Sequence, residues 1–108
     1  MSMTAAEFTV IRRLIGLSAQ DVAEHIGVQL RSAQRWERGE RPINEGVESE
    51  MRALKAEHDL ATQRLQDAPQ GEFVKIPTGD NERPRGWWLA AASRVLSSNP
   101  EARFDWAE

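Results

Sequence analysis

The sequence predicts a mainly α-helical chain that ends in a small α+β annex, and three observations carry that expectation. Two short amphipathic stretches, joined at a glycine, lie within residues 18–38. A seam of side chains at alternating spacings of four and three runs from residue 47 to residue 65. After residue 68 the chain breaks into short apolar segments separated by Pro, Gly and Asn.

Residues 5–15 form the first expected helix, because Phe8, Ile11, Leu14 and Ile15 recur on one face. Arg12 and Arg13 fall off that stripe, and Gly16 stops the helix. Ser18 is suited to cap a second helix, with Asp21 giving an acidic first turn. That helix is expected to bury Val22, Ala23 and Ile26 and to end at Gly27, where a tight turn needs positive φ. Val28 leads into a third helix that ends near Arg38 and Gly39, with Ala33 and Trp36 on its inward face. Small residues at Ala23 and Ala33 let the two helices approach closely and cross steeply, which makes the pair a helix-turn-helix.

Arg41-Pro42-Ile43-Asn44 interrupts the helical run. Asn44 is the expected cap of a long helix reaching about Asp67, with Glu45 and Glu48 in its first turns. Val47, Met51, Leu54, His58, Ala61 and Leu65 make its heptad-like seam. Ala61 and His58 weaken it as a coiled coil, so the helix is expected to pack partly on its own domain and partly on a twin copy. Ala68-Pro69-Gln70-Gly71 ends it. Phe73–Ile76 then reads as a short strand closed by Pro77, and Thr78-Gly79-Asp80-Asn81 as a turn. Pro84 suits the first turn of a last helix, whose apolar face is Trp87, Trp88, Ala91, Val95 and Leu96. Arg103–Trp106 alternates and fits either a second strand or a docked tail. The expected division is a domain over 1–67 and an annex over 68–108.

The chain has 108 residues, enough for one compact domain or a small domain with a dimerising annex. With 40% hydrophobic and 29% charged residues the composition is globular rather than disordered. No cysteine is present, which excludes a disulfide scaffold and a thiolate metal site and fits a reducing, cytoplasmic compartment. No apolar run approaches the ~20 residues of a membrane span, and the N-terminus lacks the features of a signal peptide. The net charge of −3 argues against nucleic acid when taken alone. Its distribution argues the other way. Residues 1–42 carry six Arg against five acids, and four of those six are Arg31, Arg35, Arg38 and Arg41.

The third helix is therefore the informative element. With Ala33 and Trp36 inward, Arg31, Gln34, Arg35 and Arg38 face outward, and Arg31 and Arg35 are one turn apart. An Arg fork bonds guanine O6 and N7 together, and Gln does the same at adenine N6 and N7. A major groove admits one such helix, whose N-terminal half reaches the base edges. Gln29, Leu30, Arg31, Gln34 and Arg35 are the candidate base contacts, Leu30 through a thymine methyl. Ser18, Gln20, Ser32, Arg38 and Arg41 are the candidate phosphate contacts, which position the protein without reading sequence.

These stretches resemble a known family. Gly16-Leu17-Ser18-Ala19-Gln20-Asp21-Val22-Ala23-Glu24-His25-Ile26-Gly27-Val28, followed by Arg35-Trp36-Glu37-Arg38-Gly39, is similar to the XRE/Cro/C1-type helix-turn-helix. That pattern runs G-L-S-Q-x-x-L-A-x-x-[LI]-G-V and then R-W-E-x-G, and the match covers about residues 6–42. The family often places a phosphate-contacting Gln directly after the Ser; here Ala19 stands there and Gln20 follows. The resemblance implies a lambda-repressor-like helical domain. Ile11-Arg12-Arg13-Leu14, Ala23-Glu24-His25-Ile26-Gly27, Glu50-Met51 and Gly86-Trp87 further resemble the anti-CRISPR-associated (Aca) autorepressors and their chromosomal relatives. This implies a small C-terminal dimerisation domain and an inverted-repeat operator near the protein's own promoter.

Adjacent Trp87 and Trp88 point about 100° apart on a helix, so they cannot both face one interior. Trp87, Trp88, Val95, Phe104 and Trp106 are the expected dimer interface. Neither His25 nor His58 has the company of a zinc site, and no nucleophile with a base and no phosphate-binding glycine loop stands out. The Asp80-Asn81-Glu82 cluster reads as a solvated loop. The expectation is thus a non-enzymatic, dimeric transcriptional repressor on double-stranded DNA, with no cofactor, metal, membrane or evident small-molecule effector. An antitoxin-like adaptor that uses the same helix-turn-helix for autoregulation is the alternative.

Overall fold

The computed structural model describes residues 2–69, 71–78 and 83–107. The described residues form five helices and two strands: α1 (Ala5–Leu14), α2 (Ala19–Ile26), α3 (Leu30–Glu37), α4 (Glu45–Gln66), β1 (Val74–Ile76), α5 (Arg85–Ser98) and β2 (Phe104–Trp106). Two compact units divide at Lys55/Ala56, inside α4. The sequence-based boundary followed the end of that helix. The division falls earlier, within the helix, where Leu65, near the end of α4, belongs to the same buried cluster as residues of β1 and α5.

In the unit Met1–Lys55, three short helices are set by local chemistry. Thr4 and Glu7 close α1 reciprocally: the Glu7 amide donates to Thr4 Oγ1 at 3.0 Å, and the Thr4 amide donates to the Glu7 carboxylate at 2.9 Å. The Thr4 backbone N–H holds the Glu7 carboxyl below its ordinary value, helped by the Thr4 side chain. Ser18 and Asp21 repeat the arrangement at α2. Gly27 ends α2 at φ 87°, with its amide donating to the Ala23 carbonyl at 2.9 Å. A Cβ there would meet nothing within 4 Å, so the backbone angle, not crowding, is what asks for glycine.

The core of this unit is Phe8, Ile15, Leu17, Val22, Ala23, Ala33, Trp36, Ile43, Val47, Met51 and Leu54. Ala23 and Ala33 are fully buried, as close packing of α2 on α3 requires. Phe8 meets Trp36 edge to face at 5.9 Å between ring centroids. Ile26, expected in the core, is only half-buried at the last turn of α2. Asn44 caps the start of α4 as expected, its side-chain oxygen accepting the Val47 amide at 2.9 Å.

In the unit Ala56–Glu108, β1 and β2 form a two-stranded parallel sheet with Val74 opposite Phe104 and Ile76 opposite Trp106. The segment ending at Trp106 is therefore a strand, which settles the choice left open by its alternation. Parallel strands need a crossover, and α5 supplies it. Leu65, Val74, Ile76, Ala91, Ala92 and Val95 form the core, with Trp88, Ala102 and Phe104 packed at its margin. Two details differ from the sequence reading. Pro84 is the N-cap of α5 rather than a residue of its first turn, and Leu96 is exposed. The turn expected over 78–81 and the cluster Asp80, Asn81, Glu82 lie outside the described residues, except for Thr78.

All six seam residues of α4 are buried, three on each side of the unit boundary. The seam is consumed by the chain's own cores and offers nothing to a twin copy. His58 earns its place there through both ring nitrogens. Arg94 Nη1 donates to Nδ1 at 2.9 Å, so Nε2 carries the proton and donates to the Trp87 carbonyl at 3.0 Å. The ring stands edge-on to Trp87 at 4.6 Å. No helix of the described residues is long and apolar enough to cross a membrane.

Candidate nucleic-acid interface

The candidate interface is the outer face of α3. This helix is short, and its orientation comes from what its inner face holds. Ala33 and Trp36 anchor it to the core. Glu37 pairs with Arg12 of α1, and Arg12 also donates to the Leu17 carbonyl at 3.0 Å, so one guanidinium ties α3, α1 and the corner before α2. Sequence reasoning missed this pair. Arg12 showed only as a residue off the apolar stripe, and no local pattern marks a partner 25 positions away.

Outward, the predicted residues separate into groups. Gln29 is exposed at the N-cap of α3 and makes no capping bond, so its amide is uncommitted. Arg31 and Gln34 are exposed, while Leu30, Ser32 and Arg35 are half-buried. Gln29, Arg31 and Gln34 are thus the exposed hydrogen-bonding groups among the predicted base contacts, one at the N-cap and two along α3. Arg35 keeps a smaller free face than its spacing suggested.

Three of the five predicted phosphate contacts, Ser18, Gln20 and Arg38, carry prior engagements. Ser18 Oγ accepts the Asp21 amide at 3.0 Å, leaving its hydroxyl proton to donate. Gln20 Nε2 donates to Glu24 at 3.0 Å. Arg41 is exposed. Arg38 forks onto the Glu40 carboxylate, with Nε at 2.9 Å and Nη2 at 3.3 Å. That hydrogen bond holds the Glu40 carboxyl below its ordinary value, and the charges of Arg38 and Arg35 add to the effect. His25, near the α2–α3 turn, is exposed and faces Glu50 at 3.2 Å.

The expected dimer residues also separate. Trp87 and Val95 are 1% and 2% exposed, buried inside their own unit, and are removed from the interface set. Trp88 and Phe104 are half-buried. Trp106 is 42% exposed, with the Arg85 guanidinium 4.8 Å from its ring centroid.

This arrangement of helices coincides with a family match: the model of the Aca2/YdiL-like family fits residues 3–78. The chain belongs to the Aca2/YdiL-like family. A relative in the same direction is the Aca2 repressor of Pectobacterium phage ZF40, 34% identical over 100 residues that span 92% of this chain and 78% of the relative. The Aca2/YdiL-like match takes in all four N-terminal helices and β1, and so crosses the unit boundary. The alignment with the repressor extends over most of both units. The resemblance drawn from Ala23–Gly27, Glu50-Met51 and Gly86-Trp87 therefore pointed to the right family.

Proposed function

We propose that the protein is a sequence-specific DNA-binding transcriptional repressor, acting in the cytoplasm as a homodimer on an inverted repeat upstream of its own gene. The observation that carries this reading is the polarity of α3. Its inner face is locked by Ala33, Trp36 and the Glu37–Arg12 pair, and its outer face presents Gln29, Arg31 and Gln34 to solvent. A helix so held can enter a major groove without losing its orientation. Kinship with a phage repressor supports it.

Gln29, Arg31 and Gln34 are assigned to base edges, with Leu30 and Arg35 at the margin of that surface. Ser18, Gln20, Ser32, Arg38 and Arg41 are assigned to phosphates. Two copies would place their α3 helices in successive major grooves, about 34 Å apart. Dimerisation is assigned to the unit Ala56–Glu108. Among the described residues, five of the six exposed large apolar side chains are there: Leu60, Phe73, Leu89, Leu96 and Trp106. Surface of that kind marks contact sites. Trp88, Phe104 and Trp106 are the remaining predicted contributors.

Fluorescence anisotropy on the DNA directly upstream of the gene, against a shuffled duplex at ~150 mM salt, tests this reading. Binding about a thousandfold tighter than the control, with two protomers per duplex, is expected. Arg31→Ala should cost about 1–3 kcal/mol on the upstream duplex and relax the preference at one base pair. Arg41→Ala should weaken all duplexes alike and reduce the salt slope by about 0.9. Equal, weak binding to both duplexes would overturn the reading and direct attention to a protein partner.

A further inference from the structure

Glu40 sits where a DNA-binding surface least needs an anion. It lies three residues beyond Glu37, the last residue of α3, and its amide is held by the Arg35 carbonyl at 2.9 Å, so its carboxylate is returned to the end of the helix. There it occupies the Arg38 fork with both oxygens. Arg35 lies close enough to bias its charge, and Arg41 follows it directly in the chain. Two of the four arginines concentrated in this stretch thus act on one carboxylate, Arg38 through its fork and Arg35 through its charge.

We propose that Glu40 is a specificity-determining residue: an internal anion that keeps Arg38 occupied on non-operator DNA and yields it to phosphate only where base contacts hold the protein in register. This rests on the DNA-binding function proposed above. The pair is exposed on both sides, 55% for the Arg38 side chain and 52% for Glu40, so it is weak enough to be exchanged. Exchange requires a phosphate held at the geometry of the fork. A complex docked by base contacts supplies one at a fixed place. A non-specific complex, in which the protein slides along the backbone, does not. Glu40 therefore removes one phosphate contact from the wrong complexes and none from the right one. It acts through Arg38, as a positioning residue, and touches no base.

The test compares Glu40→Gln with the native protein on a shuffled duplex and on the duplex upstream of the gene, across a salt series. On the shuffled duplex, Glu40→Gln should bind about three- to tenfold tighter at low salt, and the slope of log K against log salt should steepen by about 0.9, one phosphate contact. On the upstream duplex the slope should move by less than half as much, so the specificity ratio falls. Glu40→Asp, which keeps the charge, should restore the native slope. In an Arg38→Ala background Glu40→Gln should change nothing further. Equal steepening on both duplexes, or an effect that survives Arg38→Ala, would mean general charge rather than competition for Arg38 and would overturn the proposal. So would an unchanged slope on the shuffled duplex. If the native protein prefers neither duplex, the function proposed above falls and the specificity role of Glu40 with it, while the shuffled-duplex slopes and the Arg38 background still decide whether Glu40 competes with phosphate for Arg38. Circular dichroism checks that each variant is folded.

Discussion

Trp87→Ala is expected to destabilise the unit Ala56–Glu108 by about 3–5 kcal/mol, the range for emptying a fully buried aromatic site. Trp87 is 1% exposed and is the largest fully buried side chain among the described residues. Its removal also strips partners from others. The His58 ring loses the face it stands against, and the Arg83 guanidinium loses the ring 4.7 Å beneath it. A unit of some fifty residues holds a net stability of only about 3–8 kcal/mol, so the loss is comparable with the whole. The expected readout is an amide NMR spectrum in which signals from α5 and both strands collapse while those of α1–α3 persist. On the proposed function, the variant should also bind DNA without a second protomer, because the proposed dimer surface belongs to the melted unit. Retention of dispersed signals from α5 would show that the core of Leu65, Val74, Ile76 and Val95 holds without the indole.

The fold was legible wherever one residue type has one local use. Gly16 and Gly27 adopt φ of 71° and 87°, and Ser18 caps α2, because the strain and the orphaned amides they relieve are local to a few residues. The seam of α4 was legible for the same reason: a 4,3 repeat places six side chains on one face of any helix. Its destination was not. Periodicity says that Val47 through Leu65 share a face, and says nothing of whether that face meets the same chain or another. The strand pair was half legible. The alternation at 103–106 fits a strand, but parallel pairing with β1 depends on a crossover of the whole length of α5.

The same distinction runs through the candidate interface. The inward Ala33 and Trp36 followed from spacing, and with them the exposure of Arg31 and Gln34. Arg35 and Arg38 read alike in sequence but differ in the structure. Arg35 is half-buried, and Arg38 is engaged by a carboxylate two residues on. Trp87 and Val95 were placed at an interface because large apolar residues in a small annex can serve either a core or a partner. Composition cannot choose between them, whereas an exposure of 1–2% does.

Arg12→Ala is expected to cost about 2–4 kcal/mol of the stability of the unit Met1–Lys55, more than an exposed ion pair and less than a fully buried one. The Arg12 and Glu37 side chains are 15% and 18% exposed, so water screens the pair only in part. Removing the guanidinium leaves the Glu37 carboxylate unpaired beside the core and frees the Leu17 carbonyl, which Arg12 holds just ahead of the Ser18 cap. It also removes the aliphatic stem of a side chain that is only 15% exposed. The penalty comes mainly from the charge left behind rather than from the attraction lost. A double variant, Arg12→Met with Glu37→Met, should therefore be more stable than Arg12→Ala or Glu37→Met alone. Urea unfolding of the native protein and these variants, followed by the fluorescence of Trp36 against its neighbours, measures the coupling. Single-variant losses below about 0.5 kcal/mol would mean that the pair contributes no more than a surface contact. The expected result has a functional consequence. Glu37 lies between Arg35 and Arg38 in sequence yet turns to Arg12 rather than to the proposed DNA-binding face, so on the proposed function its substitution should weaken operator binding only as far as it loosens α3. Restoring that rigidity with the double methionine variant should restore binding with it.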